Sequence, residues 1–366
     1  MHKKSAFKKM AVGACTLLTP FALLAASNGE LAISSPEVQT AMAAQNSVTP
    51  SLMQQPGILG TAVGLSDDGT TNVTVFVDRE AKNVADVTAS VPRQIGSVKV
   101  QVEVTDKFRA AIGSAMPDQT TGMPHTAKQT PPIQLGTSGG WSKDLANGFC
   151  CGGTLGALVS IAGVQYVLSN YHVLEADIVP GGNGIVAMTG DPVIQPGLID
   201  VNCSAAGAQT VATLVKKSSL PGSNVDCSIG QVVPGMVDSS GKILEIGTVS
   251  KTTVPAALRQ KVKKSGRTSG LTQSTVNGLN ATVSVTYENE CAGGTAFTKT
   301  FTGQIVVKSS ISKPFISPGD SGSLMVDGLR KNPHPVGLLY ASSSTAAIAQ
   351  PIDEVLTFLG ATMVGN

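Results

Sequence analysis

The sequence predicts a chain built mainly from short β-strands, with a small mixed α/β segment ahead of them. Three observations lead there. Forty of the 366 residues are glycine, and with many Thr, Ser and Val they favour short strands and tight turns over long helices. Runs that alternate apolar and polar residues recur between Gly, Pro, Asn and Asp. From residue 141 onward only "PIDEVLTFLG" (351–360) has helical spacing, with Ile352, Val355, Leu356 and Leu359 on one face.

Taken in order, the chain opens with a basic "MHKKSAFKKM", an apolar "AVGACTLLTPFALLAA" and small residues at Ala25, Ala26 and Ser27. That layout predicts a signal peptide over 1–27, too short and interrupted to span a membrane. A lipoprotein reading at Cys15 is weaker, because almost no apolar run precedes it. Residues 28–53 are small and polar without clear periodicity, and a flexible leader is expected. Over 54–112, "TNVTVFVD" and "GSVKVQVEV" alternate as half-buried strands do, and "REAKNVADVTASVP" between them suits a short helix stopped by Pro92. A small α+β domain is expected there. Residues 113–140 are rich in Pro, Gly and Thr and read as a linker. Beyond them "GALVSIAG", "VQYVLSN", "QTVATLV", "CSIGQVV", "GQIVVKSS" and "PVGLLYAS" predict an all-β sandwich or barrel.

Composition excludes several classes of function. With 26 Lys and Arg against 24 Asp and Glu, the net charge is +2, which gives no electrostatic reason to expect a nucleic-acid partner. Lys261, Lys263 and Lys264 read as a solvated face. No segment after the signal resembles a membrane span. Five cysteines then remain, Cys150, Cys151, Cys203, Cys227 and Cys291. In an exported chain these suit disulfides better than metal ligation, and zinc spacing is absent, so neither metal nor cofactor is expected. Five is odd, so at least one thiol is left over, and the sequence leaves the pairing open.

The chemistry centres on "SPGDSGSL" (317–324). Gly, Asp and Ser are ordinary turn residues, so Ser321 becomes a candidate nucleophile only if a base and an orienting acid lie elsewhere. Four histidines allow elimination. His2 falls in the signal, His125 in the expected linker, where it should be solvated, and His334 between prolines in a surface turn. His172 ends the strand-like "VQYVLSNYHVL" beside a core. For the acid, Asp226 in "SNVDCSIGQVV" starts an apolar strand, and buried Asp is uncommon without a partner. Asp177, Asp191 and Asp200 sit in turn-like contexts. The order His172, Asp226, Ser321 is not that of an α/β-hydrolase, and Ser323 breaks G-x-S-x-G.

At these residues the chain resembles the trypsin/chymotrypsin superfamily of serine peptidases, most closely its secreted bacterial branch. The resemblance covers about 133–360 and rests on "GTLGALV…YVLSNYHVL", "VDCSIG", "SPGDSGSL", "KKSGRTSGLTQSTV" and "PVGLLYASSS". It implies an all-β fold of two six-stranded antiparallel barrels over 141–240 and 241–350, with a terminal helix at 351–360. It implies that Ser321 attacks a peptide carbonyl, His172 acts as base and then acid, and Asp226 orients it. The N–H groups of Gly319 and Ser321 would form the oxyanion hole. Asp320 would pair with Lys264, or failing that with Arg267. Phe315 would floor the substrate pocket, with Tyr340, Ala341 and Ser342 as its wall. The absence of an acid at Phe315 disfavours Lys or Arg and suits a small or apolar residue before the scissile bond. Cys151 matches the cysteine ahead of the His strand, but no cysteine closely follows His172. Residues 54–112 would then be either a cleaved pro-region or an accessory domain.

The leading expectation is therefore an exported serine endopeptidase acting on protein or peptide. A catalytically silent binding protein or adhesin on the same fold, and an esterase using the same three residues, are the alternatives. The oligomeric state is not legible.

Overall fold

The computed structural model describes residues 29–111, 113–115, 125–146, 148–175, 185–288 and 296–366. The expected signal peptide and Cys291 lie outside them. Most of the regular structure is strand, with few helices. Among the described residues no helix is long and apolar enough to cross a membrane.

The N-terminal part carries helix α1 (Pro36–Leu52), strands β1 (Ile58–Leu65) and β2 (Thr71–Asp78), helix α2 (Val84–Ser90), and β3 (Val98–Thr105). Two short strands follow, β4 (Phe108–Ala110) and β5 (Gly113–Ala115). Next come β6 (Thr137–Trp141), β7 (Phe149–Leu155), β8 (Ala157–Ile161) and β9 (Val164–Ser169), then helix α3 (Tyr171–Leu174). They are followed by β10 (Pro192–Gln195), β11 (Gln209–Val215) and β12 (Ser228–Val232). The last part holds β13 (Lys261–Gly266), the long pair β14 (Gly270–Tyr287) and β15 (Phe297–Lys308), β16 (Leu324–Asp327), β17 (Pro335–Ser342) and β18 (Ala346–Pro351). Helix α4 (Ile352–Leu359) and β19 (Thr362–Met363) end it.

These strands form two large sheets. One runs β19-β8-β9-β12-β11-β10-β6-β7-β5. The other runs β13-β16-β17-β18-β15-β14-β1-β2-β3, with β13 also paired to β14. Each covers its own apolar core. Trp141, Leu155, Leu168, Val173 and Ile229 lie in the first, and Val63, Val75, Val262, Val307, Phe315 and Leu339 in the second. A third cluster gathers Phe76, Phe108, Tyr287, Phe301 and Tyr340. The terminal helix packs Ile352, Val355 and Leu359 into the first core. It is stopped by Gly360, whose φ of +64° suits the left-handed residue that ends a helix.

Three expectations are corrected here. Residues 28–53 are not a flexible leader, since α1 spans most of them. The helix starts with Pro36, where the missing N–H would have had no partner anyway. Its buried stripe is Val38, Ala41, Gln45, Thr49 and Leu52, spaced as a helix face but polar at its centre. Gln45 donates to Thr61 Oγ1 at 3.0 Å and to the Asn280 carbonyl at 2.8 Å. A polar stripe satisfied by distant partners leaves no apolar period to read.

The second correction concerns 113–140, expected as a linker. Residues 125–141 are packed. Ile133 and Leu135 are fully buried and donate their N–H groups to the Met236 and Lys242 carbonyls at 2.8 and 2.9 Å. His125 is not solvated: it is 5% exposed, with Nδ1 at 2.8 Å from the Gly136 carbonyl and Nε2 at 3.0 Å from Glu245. Nor do residues 54–112 stand apart. Strand β1 pairs antiparallel with β14, placing Gly64 opposite Gly278 and Gly60 opposite Val283, so the segment extends the second sheet.

Candidate active site

The first sheet supplies a base and an acid. Strand β9 ends at Ser169, Asn170 turns the chain, and α3 sets His172 over the core, where it is 3% exposed. Asp226 is fully buried, two residues before β12. Strands β9 and β12 pair antiparallel, with Ser169 opposite Ser228, and that register sets the two side chains together. His172 Nδ1 lies 2.6 Å from Asp226 Oδ2.

A buried carboxylate needs its lone pairs filled, and here they are. Oδ1 accepts from the Tyr171 N–H at 2.8 Å and more weakly from the His172 N–H at 3.4 Å. Oδ2 accepts from the Tyr287 hydroxyl at 2.8 Å. The backbone is fixed as well. Gln350 Oε1 accepts from the Asp226 N–H at 2.7 Å, and Gln350 Nε2 donates to its carbonyl at 2.6 Å. Asn170 donates to the same carbonyl at 2.7 Å. The imidazole meets the edge of Tyr287 with ring centres 5.8 Å apart. Its Nε2 has no hydrogen-bond partner among the described residues.

The second sheet supplies the turn 317–323, which comes before β16. Gly319 and Gly322 have φ of +98° and +91°, a region side chains rarely enter. Space is equally demanding, since a Cβ on Gly322 would lie 2.2 Å from Ser169 Oγ and 2.4 Å from the Thr154 carbonyl. Ser321 is buried. Its carbonyl accepts from the Thr154 N–H at 2.8 Å, which ties the turn to β7 of the other sheet. Its hydroxyl donates to the Tyr340 carbonyl at 3.1 Å.

Asp320 pairs with Lys264 at 2.9 Å, both side chains fully buried. Asp320 also accepts from the N–H groups of Ser317, Thr268 and Ser269 at 2.9, 2.8 and 3.1 Å, and from the Ser269 hydroxyl. Burial pushes the Lys264 ammonium below its usual pKa, and Asp320 opposes that shift. Arg267, the second choice for this role, instead binds Asp200 through Nε and Nη2 at 2.7 and 2.6 Å.

The expected pocket residues divide. Phe315 is buried in the second core. Tyr340 is fully buried beneath Phe301, with ring centres 5.1 Å apart, and burial raises its phenol well above the usual pKa, helped by Asp226. Ser342 lies opposite Arg109 in the pairing of β17 with β4. Tyr287 and Gln350 escaped the sequence reading, because each meets Asp226 only through the fold.

Cys150 and Cys203 form a disulfide, and Cys151 is disulfide-bonded too. Cys227 is the free, buried thiol among the described residues. No group of His, Cys, Asp and Glu suited to holding a metal occurs among them.

No family model matches the chain, and no curated protein matches it. Solved structures of bacterial serine proteases do. A glutamic acid specific serine protease shares 18% identity at a TM-score of 0.41, covering 63% of this chain and 100% of its own. Protease A of Thermobifida fusca shares 20% at 0.40, covering 64% and 99%. A chymotrypsin of Cellulomonas bogoriensis shares 19% at 0.36, covering 58% and 91%. Overlap at these scores assigns no activity to the chain.

Proposed function

We propose that the protein is an exported serine endopeptidase that hydrolyses peptide bonds through Ser321, His172 and Asp226. In this reading the two sheets correspond to two six-stranded barrels, with the catalytic cleft between them. The observation that carries the reading is the buried His172–Asp226 contact at 2.6 Å, with a peptide carbonyl oxygen held 2.7 Å from the Gly319 nitrogen in the turn that bears Ser321.

The chemistry follows from those groups. Asp226 holds the Nδ1 proton, so Nε2 presents its lone pair as a base. Rotation of the Ser321 hydroxyl from the Tyr340 carbonyl towards Nε2 lets that proton pass to the imidazole as Oγ attacks the carbonyl carbon. Negative charge then grows on the carbonyl oxygen, where the Gly319 N–H already points; one such donor is typically worth about 100- to 1,000-fold in rate. Imidazolium returns the proton to the departing nitrogen, and water releases the acyl-enzyme by the same steps.

Ser321 resting on Tyr340 favours the alternative of a silent scaffold, in which the hydroxyl never turns. Fluorophosphonate labelling and casein cleavage by the secreted protein, beside Ser321→Ala and His172→Ala, separate the two. Labelling and cleavage present in the parent and lost in both variants are expected. A well-folded parent that neither labels nor cleaves would leave the scaffold reading.

A further inference from the structure

We infer that Thr268, set by the buried Arg267–Asp200 pair, is a positioning residue that keeps the Gly319 N–H pointing into the cleft. The inference rests on the peptidase reading above and names what holds its oxyanion donor in place. Lys264 takes Asp320, so Arg267 serves elsewhere in the same turn.

Residues 317–320 form a turn with two possible settings. The Asp320 N–H donates to the Ser317 carbonyl at 2.9 Å, closing the turn around Pro318 and Gly319. Gly319 has a φ of +98°, which suits the third residue of a type II turn. A type I turn closes with the same hydrogen bond and equally accepts proline at its second residue. The two differ by a half-rotation of the central peptide, which carries the Pro318 carbonyl and the Gly319 N–H. That peptide is planar and trans, so the two groups point opposite ways. In the type II setting the N–H faces the cleft, where it reaches the Ala111 carbonyl at 2.7 Å. In the type I setting it would face away, and the Pro318 oxygen would turn towards the cleft instead.

The groups that select between them lie on the far side of the turn. The Thr268 hydroxyl donates to the Pro318 carbonyl at 2.7 Å, which fixes the oxygen end of the peptide. A hydroxyl has one proton to give. Arg267 Nη1 donates to that hydroxyl oxygen at 2.9 Å, leaving the proton directed at Pro318. Arg267 is itself held, its Nε and Nη2 binding the two oxygens of Asp200 at 2.7 and 2.6 Å. The pair is almost dry, with side chains 6% and 1% exposed. Behind it the Ser138 hydroxyl donates to Asp200 at 2.5 Å and accepts from the Gly197 N–H at 2.9 Å. Thr154 of β7 completes the frame. Its hydroxyl accepts from the Arg267 N–H at 2.9 Å and donates to the Gly319 carbonyl at 3.0 Å.

The first sheet thus sets the direction of a donor carried by the second. Nothing in this frame is loose, since a Cβ on Gly319 would collide with Thr268 Oγ1 and Arg267 Nη1. A buried ion pair is often no better for stability than apolar side chains of similar volume. What apolar packing cannot do is aim an N–H at one hydroxyl, and the rigid fork of arginine does so.

The test compares the secreted protein with Thr268→Val, Thr268→Ser and Asp200→Asn, each checked for folding by circular dichroism and Tm. The constants kcat and KM are read on a tetrapeptide p-nitroanilide ending in alanine. Ki is read on the matching trifluoromethyl ketone, whose serine adduct places an oxyanion on the donor. Thr268→Val frees the peptide to rotate and should lower kcat about 10- to 100-fold, part of what a whole donor is worth, with KM unchanged. Ki should rise by the same factor, because the adduct meets the donor as the transition state does. Thr268→Ser keeps the hydroxyl and should restore both constants. Asp200→Asn leaves the guanidinium half-paired and should act in the same direction as the valine variant. An unchanged kcat in Thr268→Val, or a fall in kcat without the matching rise in Ki, overturns the inference while the active parent keeps the peptidase reading. A serine variant as impaired as the valine one reduces Thr268 to packing and overturns it as well. A folded parent that neither labels with a fluorophosphonate nor cleaves casein or the nitroanilide removes the peptidase reading, and this inference with it.

Discussion

Asp226 draws hydrogen bonds from an imidazole, a phenol and two backbone N–H groups, and each tightens the hold on His172. The phenol is the contact whose worth can be tested without unmaking the site. Tyr287→Phe removes a bond to a charged group, a change typically costing ~1.5–3 kcal/mol. We expect kcat on a peptide substrate to fall about 10- to 100-fold, with the circular dichroism spectrum unchanged. An unchanged kcat would make the phenol a packing group only. The contact between His172 and Asp226 could be anticipated because their chemistry is rare here: four histidines, and one Asp opening an apolar strand after His172. Tyr287 was not, because an aromatic on an alternating strand looks like any core residue, and its partner lies 61 positions away. His125 misled for the opposite reason, as local polarity hides a carbonyl and a carboxylate contributed by later turns.

Between β6 and β7 a short turn buries Asp144, leaving its Oδ2 without a hydrogen-bond partner. Burial alone pushes this carboxyl up to about 8, from an ordinary 3.8. Between those values the folded chain keeps a proton that the unfolded chain has released. The stability this contributes is fully present below pH 3.8 and is lost as pH rises through about 8. Asp144→Asn should therefore raise Tm at about pH 8, by an amount equivalent to roughly 1–3 kcal/mol, and change it little at about pH 4. Thermal unfolding at the two pH values checks this, and an equal gap at both would refute it. Among the elements, strands and the terminal helix announce themselves by period. Helix α1 does not, since Gln45 and Thr49 occupy its buried face.

For the molecule as a whole, the sequence suggested a small domain joined by a linker, whereas β1 is bonded to β14 more than 200 positions away. Composition marks where strands lie but not which distant edge each will meet. Sheets assembled from such remote pairs fold slowly, because loop closure precedes any gain from contact. A chain of residues 112–366 should thus recover the fluorescence of its single tryptophan, buried Trp141, at least about tenfold more slowly than the full chain. Adding residues 29–111 separately should restore the rate. Equal recovery without them would mean that β14 needs no template.

Cys227 sits immediately after Asp226, buried, with its thiol held well above the usual pKa by burial first and then by the adjacent carboxylate. Exchange between sulfurs requires a thiolate that can reach its target. An odd cysteine in an oxidised chain would ordinarily threaten Cys150–Cys203 with reshuffling. The dry, negatively charged setting that steadies the imidazole also keeps that sulfur protonated, and so protects the crosslinks from their own neighbour.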